Sequence, residues 1–156
     1  KLRLYNQLNL GKFSLTNTVQ YQRVLQLEAA RSAGEFGEPQ LLNVPEWIAR
    51  NTIAFSSEIF NKALFLQTGF HFQFFTGFYA DAMHSVLGEY VNQNNQLIGE
   101  YPRIDFFINA KISQTRLFLK VEHLNNTQTG YRYYAAPFFP YRDMSIRFGV
   151  VWNFFQ

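Results

Sequence analysis

Three histidines, His71, His84 and His123, are the first residues to test for chemistry. They stand far apart, without the short spacing that brings ligands onto one metal. The chain has no Cys, which removes thiolate nucleophiles, thiolate metal sites and disulfides. It shows no Ser/His/Asp set, no paired-carboxylate motif and no Gly-rich phosphate loop. The expectation is therefore no catalytic residue, no metal and no cofactor. What remains is a set of isolated charges, Asp105, Lys111, Arg116, Lys120, Glu122 and Arg147. Read with a period of two, they fall on one face of three neighbouring strands. Charges so placed stabilise a wall as a cross-strand ladder of ion pairs. They can also select ions, as rings of charge do in pores. The two roles are compatible. Gln67, His71 and Gln73 share one face of an earlier strand and are expected to line the same polar space. Glu58 faces the same way and joins the ladder only if its strand is adjacent.

Those positions require long alternating strands. Aromatics make up 19% of the 156 residues and charged residues only 16%. The apolar residues are dispersed among Asn, Gln, Thr and Ser, and no run nears the roughly 18 residues of a spanning helix. Alternation predicts strands at 2–10, 13–25, 47–61, 64–79, 104–112, 116–125 and 145–156. Gly11-Lys12, Asn61-Lys62 and Ser113-Gln114-Thr115 read as tight turns. Residues 27–46, 80–102 and 126–144 read as long connections. Leu27 to Ser32 is compatible with one helical turn, and Val86 to Val91 with a short strand. The third connection is dense in aromatics, from Tyr131 to Tyr141, as an interfacial anchor or a recognition platform would be.

Short and long connections alternate, which is the pattern of a transmembrane, antiparallel, up-and-down β-barrel with tight periplasmic turns and long external loops. A soluble barrel would carry charge on its outside; here the second face holds Gln, Asn, Thr, Gly and isolated charges, which suits a water-filled lumen. The final strand ends in Phe154-Phe155, an exposed apolar edge that a soluble sheet would have to protect. Its C-terminus is expected at the periplasmic rim of a bacterial outer membrane. Counting back gives about seven strands, the first starting outside. Bacterial barrels have even strand numbers, so the segment is expected to be the C-terminal portion of a longer barrel. The last strand should pair with 116–125 and not with 2–10. The net charge of +3 is scattered and does not point to nucleic acid. Partners expected are lipid, lipopolysaccharide and other outer-membrane proteins.

Several runs carry a family resemblance: Asn43 to Thr52, Lys62 to Gly69, Gly99 to Lys111 and Arg116 to Asn125, with Ala136-Pro137, Pro140 and Arg147-Phe-Gly. They resemble the putative porins of Bacteroidota outer membranes, from about residue 43 onward. The resemblance implies an outer-membrane β-barrel for passage of small solutes. It supplies no catalytic or ligand-binding residue. TonB-dependent receptors end in similar strands and are the rival family, and a structural subunit of a larger outer-membrane complex is the rival role.

Overall fold

The computed structural model describes residues 1–23, 43–128 and 133–154. The possible helical turn at Leu27 to Ser32 lies outside them, as do Tyr131 and Phe155. Within them the secondary structure is entirely β. Seven strands join one antiparallel sheet: β1 (Leu2–Leu10), β2 (Phe13–Tyr21), β3 (Trp47–Ile59), β4 (Leu64–Phe75), β7 (Arg103–Ile112), β8 (Thr115–Glu122) and β11 (Ser145–Trp152). Each is hydrogen-bonded to its neighbour in that order. Two small hairpins stand apart from it, β5 (Ala82–His84) with β6 (Glu89–Val91), and β9 (Tyr134–Ala136) with β10 (Phe139–Pro140).

The turns explain this meander. Gly11 adopts φ 59° at the β1–β2 turn, where the missing Cβ removes the steric penalty. Phe60, Asn61 and Lys62 all take left-handed φ at the β3–β4 turn, and Ser113 does so between β7 and β8. Such tight reversals fix register, and register decides which side chains share a face. Continuous rows result. One runs Leu8, Leu15, Ile53, Phe70, Phe106, Val121, Ile146. The next runs Leu10, Phe13, Phe55, Thr68, Ile108, Leu119, Phe148.

The sheet curls around its other face. At its centre Asp105 is 5% exposed, while Ile53 and Phe70 on the opposite face are 54% and 46% exposed. A cavity of about 590 Å³ is lined jointly by Gln7 of β1 and Lys120 of β8, at distant places in the strand order. The faces can therefore be called concave and convex. β1 and β11 are not paired with each other and form the two ends of an open sheet.

The expected strands are all present, most with shorter ends, while β7 and β8 each begin one residue earlier than expected and Thr115, read as a turn residue, opens β8. β4 stops at Phe75 although alternation continues toward Tyr79, and there the Glu100 N–H donates to the Phe75 carbonyl at 3.0 Å. Phe78 instead bridges Ile98. β2 ends at Tyr21 and β11 at Trp152, both inside their expected bounds. Val86 to Val91 is not one strand: only Glu89–Val91 pairs, against Ala82–His84, and Gly88 sits in the turn at φ 67°.

Candidate functional site

The nine residues expected to line one polar space, Gln67, His71, Gln73, Asp105, Lys111, Arg116, Lys120, Glu122 and Arg147, all share the concave face. Register pairs place Gln67 opposite Asn109, His71 opposite Asp105, Lys111 opposite Arg116 and Lys120 opposite Arg147. Their side chains then sort into two groups.

One group is an ion-pair cluster at the end of the face beside the long connections. Lys120 Nζ lies 3.2 Å from Asp105 Oδ2 and 2.9 Å from Glu122 Oε1. Arg147 reaches Glu122 Oε2 at 3.1 Å, and Arg142 approaches the same oxygen at 3.7 Å. Arg103 Nε lies 3.8 Å from Asp105 Oδ1, which also accepts the His123 backbone N–H at 3.0 Å. The Ser145 hydroxyl donates to Glu122 at 3.3 Å. Two nearly buried carboxylates thus sit among four cations. Burying a carboxylate costs several kcal/mol unless charge and hydrogen bonds compensate it. Gln73 joins through Arg103, whose guanidinium donates to its amide oxygen and to the Tyr141 hydroxyl, both at 2.6 Å. His71 borders the cluster, with Nδ1 2.8 Å from Thr52 Oγ1 and its ring stacked 4.6 Å from Phe107. Arg50, His71, Gln73, Arg103, Asp105 and Lys120 line a second cavity of about 330 Å³.

The other group lies toward the tight turns and is not drawn into the cluster. Asn109 donates weakly to Gln67 at 3.4 Å. Lys111 and Arg116 face each other as like charges, and neither makes an ion pair among the described residues. Glu58 is two strands from Lys111, with Phe65 between them in the same row. It does not join the ladder. Phe65, Phe107 and Phe118 interrupt the polar face.

Three members of the cluster were not anticipated. Arg103 shares the parity of Asp105 and was legible two residues earlier on the same strand. Arg142 and Tyr141 come from the third long connection, where no periodicity reports facing. A packed cap holds them. His123, fully buried, takes φ 55° after β8 and its Nδ1 lies 3.0 Å from the Arg142 carbonyl oxygen. Its ring meets Tyr133 edge-on at 4.5 Å, and Tyr101 and Tyr141 pack beside it. Burial pushes the Tyr101 phenol above its ordinary ionisation range. Tyr133 donates to Asp143. Asn125 ties this cap to β7, accepting the Ile104 N–H and donating to the Pro102 carbonyl. Residues 133–143 of the third connection are therefore folded against the sheet end.

The family model described as "Putative porin" matches residues 1–156, the whole chain, and the chain belongs to that family. The match takes in the N-terminal hairpin as well as the segment that carries the resemblance. Membership implies an outer-membrane location. No curated protein and no solved structure matches the chain.

Proposed function

We propose, from that membership and from the two faces of the sheet, that the chain is a wall segment of a transmembrane barrel conducting small hydrophilic solutes. One observation carries the reading. Every charged residue of the seven sheet strands lies on the concave face, and none lies on the convex one. Water in a lumen solvates the first face, and hydrocarbon accepts the second. Aromatics mark both rims of the convex face, Tyr21 against Trp47 at 4.8 Å and Trp152 against Phe154 at 4.6 Å. β3 spans 13 residues. At ~3.3 Å per residue and the usual tilt, that is about 30 Å of depth, the thickness of a bilayer's apolar core. In this orientation the tight turns and the C-terminus are periplasmic and the long connections external. The open sheet is one arc of the barrel, and further strands complete the ring between β11 and β1.

The charges also give the lumen a sign. On the strands, Arg3, Arg50, Arg103, Lys111, Arg116, Lys120 and Arg147 outnumber Glu58, Asp105 and Glu122. The lumen therefore favours anions. The test is conductance of the purified full-length protein in a planar bilayer under a salt gradient. The expected result is stepwise conductance with an anion-leaning reversal potential, and a shift toward cations in the Lys111→Glu, Arg116→Glu double variant. A bilayer that stays silent overturns the reading. It would favour a structural barrel within a larger complex, the role to which the cap packed over one end of the concave face also lends itself.

A further inference from the structure

The convex face has one polar interruption that no local partner explains. Asn6, Asn17 and Asn51 stand in one register row across β1, β2 and β3. The row continues as Phe72 and Ile104 on β4 and β7. Apolar rows flank it on both sides: Leu4, Val19, Ala49 and Phe74 toward the long connections, Leu8, Leu15, Ile53 and Phe70 toward the tight turns. The asparagines are thus set within the apolar band and not at its rim. Other polar side chains of this face are accounted for. Thr68 donates to the Phe107 carbonyl, Ser57 receives Lys12, and Thr115 is in the last row before the turn. The three amides have no side-chain hydrogen bond among the described residues.

In hydrocarbon, each bare amide costs several kcal/mol. Bonding along the row cannot remove the cost, because each amide carries two N–H donors and an oxygen acceptor, and such a chain leaves most donors bare. A surface that meets them must be polar along this row and apolar on either side of it. It must also be uncharged, because the rows beside the asparagines offer no counter-charge and would desolvate one. The chain's own convex face has that pattern. Amides are donor and acceptor alike, so an amide on this face is complementary to its own copy.

We propose that the β1–β3 convex face is the contact between two copies of this protein in the outer membrane, closed by amide–amide hydrogen bonds. The inference rests on the barrel reading above. Two copies inserted the same way are related by a two-fold axis along the membrane normal, and such a contact is made by one patch with itself. Because the strands are tilted, the two rows are inclined to the membrane plane and cross at this axis, where the middle member, Asn17, lies against Asn17 of the second copy.

The chain has no Cys, so one introduced thiol is unique within it. Single variants Asn17→Cys and Ile146→Cys of the full-length protein are oxidised in outer-membrane vesicles and analysed by mass. Ile146 is on the same face, at the far end of the sheet, and is 61% exposed. The expected result is a disulfide-linked homodimer for Asn17→Cys, several-fold above that for Ile146→Cys. As a second arm, the triple variant Asn6→Leu, Asn17→Leu, Asn51→Leu of the protein should lose the dimer on native mass spectrometry while remaining a folded barrel. The inference is overturned if Asn17→Cys stays monomeric in the membrane, if both sites link equally, or if the linked product contains a different protein. Recovery in the soluble fraction would overturn the barrel reading itself, and the contact with it.

Discussion

Lys120 holds two carboxylates, and its removal should be costly. It lies between Asp105 and Glu122, each under a tenth exposed, and its loss leaves the Asp105–Glu122 repulsion less compensated. Lys120→Met keeps the stem and removes the charge. Because Lys120 is itself about one-third exposed, the expected loss is about 2–3 kcal/mol, below that of a fully buried pair. Arg116→Met, outside the cluster, should change stability by no more than ~0.5 kcal/mol. Denaturant unfolding of the two purified variants in micelles checks both values; equal losses would contradict the cluster's role. At this scale the sequence was legible where strand parity applied. Parity alone placed nine side chains on one face, and register then decided which of them touch. Gln67, Lys111 and Arg116 share the face yet lie too far along it to reach Asp105 or Glu122. Arg142 and Tyr141 were not legible, because their positions depend on how an aperiodic connection folds over His123.

The strands were legible in type and order because alternation persists for most of each one. Their ends were less so. Side-chain alternation can outlast a strand's place in the sheet, as it does between Thr76 and Tyr79, where Phe78 pairs with Ile98 and not with the sheet strands. The hairpins β5–β6 and β9–β10 were harder still, since strands of three residues or fewer display too little of any period. The difference between the faces is a property of the strand and can be tested on adjacent strands. Ile53→Arg puts a charge on the convex face and should cost about 2–4 kcal/mol if that face meets hydrocarbon. Gln67→Arg adds the same group to the concave face and should cost little. Stability of the two variants, from unfolding in lipid vesicles, separates the cases; a neutral Ile53→Arg would mean that the convex face meets water.

For the whole molecule, the alternation of short and long connections specified a meander, and the sheet follows it strand for strand. Direction and curvature came from the same pattern, since a face of Gln, Thr and charges draws water and an opposite face of Leu, Ile and Phe repels it. The odd strand count indicated that β11 would pair with β8 and not with β1, and the sheet order agrees; what pairs with the free edges of β1 and β11 was not legible, because a pattern within each strand does not encode it. The central claim is that the concave face is wet and the convex face is in lipid. Since the chain lacks Cys, single cysteines at Gln67, His71 and Arg116, and at Phe70, Phe106 and Phe148, can each be exposed to a water-soluble maleimide in intact outer membranes. The account predicts labelling at the first three positions and protection at the last three. Equal labelling of the two sets, or the reverse order, would contradict it.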